Sequence, residues 1–149
     1  MNTWRAIIVA AGMSAAIVPG FAAEETHASL YQRLGGMPAI QAVVDDLASR
    51  LLADPRVNQW FAHAASSDQY TAAYKSKLAD FICQGTGGPC RYTGQDLVQA
   101  HKGRGITGQA FDAVVEDLTA TLDKLGVGAK EKSDLLNILA PMKAGIVEK

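Results

Sequence analysis

Glycines divide this chain into short stretches, and within each stretch the apolar residues recur at helical spacing. Ile40, Val43, Val44, Leu47 and Leu51 follow the i, i+3, i+4, i+7 pattern of an amphipathic helix beginning at Pro38. Tyr70, Tyr74, Lys77, Leu78, Phe81 and Ile82 line one side of a second, over residues 68–84, which the run Gly85-Thr86-Gly87-Gly88-Pro89 stops. Phe111, Val114, Val115, Leu118, Leu122 and Leu125 mark a third, with Thr107 as its N-cap and Gly126 and Gly128 at its end. A last helix carries Leu135, Leu136, Ile138, Leu139, Met142 and Ile146. Shorter helical pieces cover residues 29–34, closed by Gly35-Gly36, and residues 57–61, which hold Trp60-Phe61. Neither a strand nor an internal repeat emerges, so the expectation is an all-α domain. At 149 residues there is room for one.

One of the short turns carries chemistry. In Asp96-Leu97-Val98-Gln99-Ala100-His101-Lys102-Gly103-Arg104-Gly105-Ile106, Leu97 and Val98 precede His101 by four and three residues, which puts all three on one helix face. A histidine that points where aliphatic side chains point is neutral and hydrogen-bonded, or it is bound to something. Neutral imidazole is the commonest protein ligand for a metal, and a lone one suits haem iron better than zinc, which takes about four ligands. Gly103-Arg104-Gly105-Ile106-Thr107-Gly108 spells Gly-x-Gly-x-x-Gly, but a dinucleotide site needs a strand before that turn, and a helix stands there instead.

The first residues read as a separate unit. Arg5 is followed by an uncharged run, Ala6 to Val18, then by Pro19-Gly20-Phe21-Ala22 with small residues suited to cleavage after Ala22. Residues 1–22 are therefore expected to be a secretory signal peptide, leaving residues 23–149 as the domain. The run is shorter than the roughly twenty apolar residues of a permanent anchor, so no stable membrane attachment is expected after cleavage. Export points to the periplasm. Arg5 leaves with the signal, so 13 of the 14 basic side chains face 15 acidic ones. Such a balance lacks the basic footprint of nucleic-acid binding. Cys83 and Cys90 flank a glycine-proline turn, and an oxidising compartment favours a disulfide between them; two separate buried thiols are the alternative.

Taken together, several fragments resemble the group 1 truncated haemoglobins. They are Leu30-Tyr31-x-x-Leu34-Gly35-Gly36, Leu52-Ala53-Asp54-Pro55, Trp60-Phe61, Gly87-Gly88-Pro89-x-x-Tyr92-x-Gly94, and Ala100-His101-x-x-x-x-Ile106-Thr107 followed by Phe111-Asp112-x-Val114. The likeness runs from about Leu30 to Ile146, and the cysteines around Gly87-Gly88-Pro89 look like an exported branch of that family. It implies a truncated globin fold, a two-over-two helical sandwich holding haem b, with His101 as the proximal iron ligand. It places Phe61, Tyr74, Lys77, Leu78, Ile82, Val98, His101, Ile106, Phe111 and Val114 around the haem, although Phe61 and Phe111 would equally serve ordinary core packing. Arg104 and Lys102 are candidates for contacts with the haem propionates, against the plainer reading of a solvated face. His63 and His27 are read as exposed, with a contact to a propionate as the alternative for His63. The neighbours Asp45 and Asp46 cannot both face one site on a helix, so they are not read as a catalytic pair.

The distal side departs from the family pattern. Where group 1 members commonly carry a tyrosine, this chain has Ala48, and the usual glutamine or histidine partners match Tyr74, Lys77 and Leu78. Tyr74 would then donate a hydrogen bond from another helix, or pack on the haem edge. Lys77 would bind the iron as a sixth ligand, pair with a propionate or reach solvent. The resemblance implies a protein that binds O2 or NO and depends on a reductase not identified by the sequence. A haem enzyme that detoxifies NO or peroxide is one alternative, and a helical interaction module without haem is another.

Overall fold

Among the described residues, four of the eight α-helices start at side chains that cap otherwise unpaired amides. The computed structural model describes residues 27–149, so the signal peptide read over residues 1–22 lies outside the described residues. Ser29 and Gln32 form a reciprocal capping box that opens α1 (Leu30–Leu34), and the left-handed Gly35 closes it and turns the chain into α2 (Gly36–Ala53). α3 (Asn58–Phe61) and a 3-10 turn (Ala64–Ser66) lead to α4 (Asp68–Gly85), capped by Ser67. α5 (Leu97–His101) is capped by Asp96, and α6 (Gly108–Lys124) by Thr107, whose hydroxyl accepts from the Ala110 amide at 3.1 Å. α7 (Ala129–Leu139) follows, then a 3-10 turn (Ala140–Met142) and α8 (Lys143–Ile146).

The single last helix expected from Leu135 to Ile146 is thus three pieces. Pro141 sits in the 3-10 turn and has no amide hydrogen to continue the i→i−4 ladder, so the chain tightens there and re-enters as α8. The apolar spacing carried on across the break and concealed it.

α2 organises the core because it presents two stripes. Ile40 and Val44 meet Ala79 and Cys83 of α4, whereas Val43, Leu47 and Leu51 join Ala110, Ala113, Leu118 and Leu122 of α6 and Leu135 of α7. Ion pairs tie the periphery. Arg33 bridges to Glu131 and Asp134 of α7 at 2.7 and 2.6 Å. Asp46 holds Arg50, the Thr121 hydroxyl and Lys124, and these partners keep its carboxyl well below the usual range, while the adjacent Asp45 pairs with Lys75. The two aspartates therefore serve different helices.

Cys83 and Cys90 are joined in the structure, with their Cα atoms 5.8 Å apart. Gly88 lies beneath that bridge. A Cβ there would meet Cys83 Sγ and Tyr31 Cδ2 at 2.6 Å and the Cys83 carbonyl at 2.8 Å, so only glycine fits. Among the described residues no helix is long and apolar enough to cross a membrane.

Candidate functional site

Helices α2, α4, α5 and α6 and the α7–α8 segment do not close on one another completely. They leave a cavity of about 830 Å³, in the upper part of the range for small-molecule and cofactor sites. α4 contributes Tyr74, Lys77, Leu78, Phe81 and Ile82 to its wall, and α2 contributes Leu47 and Leu51. α5 and the chain beyond it contribute Leu97, Ala100, His101, Ile106, Phe111 and Val114. Leu139, Met142 and Ile146 come from the chain's last turns. The lining is overwhelmingly aliphatic and aromatic, which suits a large apolar plane.

His101 is the polar exception on the α5 wall. Its Nδ1 lies 2.7 Å from the carbonyl oxygen of Leu97, one helical turn back. A carbonyl only accepts, so Nδ1 carries the hydrogen and the neutral ring keeps its lone pair on Nε2. Nε2 has no hydrogen-bond partner among the described residues. A histidine with one nitrogen tethered to backbone and the other free on an apolar cavity has the donor arrangement of a metal-bound imidazole. The residues present therefore fit a haem.

Val98 does not line this cavity, contrary to the sequence expectation. It is 47% exposed and lies toward α8, where a Cβ on Gly145 would sit 3.1 Å from its Cγ2. At about 100° per residue, Ala100, Leu97 and His101 sweep one arc of the helix, and Val98 falls roughly 60° beyond His101 on the other side. Sharing a face at i−3 is too coarse a criterion for a helix of five residues. The other nine expected residues, Phe61, Tyr74, Lys77, Leu78, Ile82, His101, Ile106, Phe111 and Val114, are brought together. Ala48 is buried and outside the lining, between Leu47 and Leu51 in sequence.

On the α4 wall, Tyr74 packs its ring edge-on to Phe61, with centroids 5.6 Å apart. Burial pushes its phenol well above the ordinary tyrosine value, so it keeps its proton, and the hydroxyl has no partner among the described residues. Lys77 is exposed, and no carboxylate lies within ion-pair distance of it among the described residues. Arg104 lines the cavity but Lys102 does not. His63 also lines it, exposed and with its ring tilted by 41° against Tyr70 at a centroid distance of 4.3 Å, while His27 is simply exposed.

Sequence reasoning missed the supports of the turn after His101. The Trp60 indole donates to the Arg104 carbonyl at 3.0 Å, and the Glu148 carboxylate accepts from the amides of Gly103 and Gly105, each at 2.6 Å. Those two amides hold the Glu148 carboxyl below its ordinary value. These partners stand more than forty residues away along the chain, and no local pattern announces them.

The bacterial-like globin family model matches residues 29–148. The group 1 truncated hemoglobin GlbN of Mycolicibacterium paratuberculosis is 35% identical over 115 residues, covering 77% of this chain and 81% of that protein. The group 1 truncated hemoglobin of Tetrahymena pyriformis is 36% identical over 99 residues, covering 66% of this chain and 78% of that protein. The crystal structure of the Tetrahymena pyriformis truncated hemoglobin in its Fe(III) form superimposes with a TM-score of 0.74 at 30% identity, over 82% of this chain and 100% of that one.

Proposed function

The chain belongs to the group 1 truncated haemoglobins, within the bacterial-like globin family, and from that premise we propose that it holds one haem b through Nε2 of His101. Its helices have the family's two-over-two arrangement, and as a member it is a haem protein that binds gaseous ligands such as O2. The observation that carries the residue assignment is the His101 ring, tethered at Nδ1 to the Leu97 carbonyl and open at Nε2 to the 830 Å³ cavity.

Haem, when bound, would supply an iron that takes a diatomic gas. The chain's own residues do the rest. Leu97 fixes the tautomer and orientation of the imidazole. Phe61, Leu78, Ile82, Ile106, Phe111 and Val114 would wall the haem and keep water from it. Tyr74 retains its phenolic proton and has no competing protein partner, which supports it as the donor to a polar gas ligand. Lys77 and Arg104, exposed at the cavity, are suited to the propionates; Lys77 as a sixth ligand is the second reading, favoured by its lack of a carboxylate partner.

NO is a further diatomic ligand this cavity would admit, and turnover of NO or peroxide would require a reductase of separate origin. Export to the periplasm is supported by the pattern of residues 1–22 and by the paired Cys83 and Cys90. The deciding experiment is an absorption spectrum of the purified protein. A Soret band is expected in the wild type and its loss or collapse in His101→Ala; an unchanged band in the variant removes His101 as the ligand.

A further inference from the structure

We propose that Glu148 is a positioning residue for His101: its carboxylate bridges two left-handed glycines and so locks the turn that ends the ligand-bearing helix. The inference rests on the reading of His101 as the iron ligand, and it concerns how the imidazole is held rather than whether it binds.

α5 has five residues, too few to persist without support at its ends. Asp96 supplies the first support, its Oδ1 accepting from the amides of Val98 and Gln99 at 3.0 and 3.3 Å. At the second end the Lys102 amide donates to the Val98 carbonyl at 2.9 Å, and the helix goes no further. Lys102 leaves the helix with ψ at 133°, and the chain then turns through Gly103 at φ 76° and Gly105 at φ 64°. Space does not demand glycine here. A Cβ on Gly103 would meet nothing within 4 Å, and one on Gly105 only the tip of Lys149. The backbone conformation demands it.

That conformation turns two amides toward a common point, an anion-binding concavity of the kind successive backbone amides form in such turns. Glu148 fills it with one oxygen on each amide, at 2.6 Å in both cases. Charge-assisted bonds of this length are among the stronger ones in proteins. The glutamate is itself anchored on both sides. Its amide donates to the Ile106 carbonyl at 2.9 Å, the Lys149 carbonyl accepts from the Gly108 amide at 3.1 Å, and the Val147 amide donates to the Lys143 carbonyl at 2.9 Å. Within the turn the Arg104 amide donates to the His101 carbonyl at 3.3 Å, so the clamp reaches the backbone of the histidine itself.

Outer partners that orient a metal-binding histidine typically change metal affinity by about 10–100-fold when removed. Glu148 acts one link further out, so the lower figure applies. The test uses the haem-loaded full-length protein as wild type, Glu148→Gln, Glu148→Ala and His101→Ala. It reads the ferrous iron–histidine stretching band by resonance Raman and haem loss to excess apomyoglobin. Glu148→Ala is expected to broaden and lower that band and to release haem about tenfold faster, with Glu148→Gln in between because it keeps one acceptor oxygen. A variant that melts at a lower temperature but keeps the wild-type band and loss rate would overturn the proposal. If the alanine variant does not fold, the glutamine variant decides by the same two readings. A His101→Ala protein that retains the wild-type band refutes the ligand assignment instead, which separates the two failures.

Discussion

Replacing Tyr74 by phenylalanine isolates one hydroxyl in the cavity. The ring is kept, so the edge-on contact with Phe61 at 5.6 Å survives and no void is created. The hydroxyl has no protein partner among the described residues, and burial keeps it protonated across the physiological range. Its only productive bond would therefore be to a polar gas ligand. Hydrogen bonds of this kind contribute about 1–2 kcal/mol net, and about 1.4 kcal/mol is a factor of ten. O2 dissociation, measured by stopped-flow displacement with CO, is expected to accelerate about tenfold in Tyr74→Phe, with association changing by less than about threefold. The apoprotein is expected to be about as stable as the wild type, because the ring and its contact with Phe61 are kept. A dissociation rate within about twofold of the wild type would refute the donor role. The same measurement on Lys77→Ala would then show whether the lysine holds it.

Three further outcomes follow from the fold. Gly88→Ala should destabilise the protein by about 1–3 kcal/mol in urea titrations, since the added methyl meets Cys83 and Tyr31 on both sides. Breaking the bridge with Cys90→Ser should cost about 2–3 kcal/mol, the chain-entropy estimate for a short loop, and wild type melted with reductant should match it. Asp46 and Asp117 should show opposite pH signatures in thermal melts. The lowered carboxyl of Asp46, held first by Lys124 and then by Arg50 and Thr121, stabilises the fold above the ordinary aspartate range. That stability is lost as pH falls through the lower folded value, so Asp46→Asn should melt earlier at neutral pH and converge with wild type in acid. Burial raises Asp117, whose Oδ2 has no partner, so its ionisation opposes folding as pH rises above the unfolded value. Asp117→Asn should melt later at neutral pH and also converge in acid.

What the sequence reveals here and what it hides divide along chain separation. Ser29 and Thr107 announce helix starts because a cap acts within three residues, and the stripes on α2 and α6 repeat within one turn. His101 stands out for the same reason, since its apolar neighbours and its glycines are adjacent. Val98 shows the limit of such reading. Spacing places a residue within about 60° on a helix, and a five-residue helix flanking a cavity discriminates more finely than that. Pro141 shows another limit, because apolar periodicity can run unbroken across a backbone that does not.

The supports of the candidate site lie on the far side of this division. Trp60 reaches Arg104 across 44 positions and Glu148 reaches Gly103 across 45, and each bond ends on a backbone atom that every residue possesses. A bond to backbone leaves no partner residue type to look for, so the sequence signals only one end of it. The signal in the sequence is the pair Gly103 and Gly105, which follow the candidate ligand histidine directly. In the fold the same two residues also expose amides, and an exposed pair of amides in a left-handed turn calls for an anion. A glycine pair directly after a candidate ligand histidine is thus a reason to search the rest of the chain for an unassigned carboxylate. Among the described residues the carboxylate that meets these amides is Glu148, on the strap of backbone that follows α8.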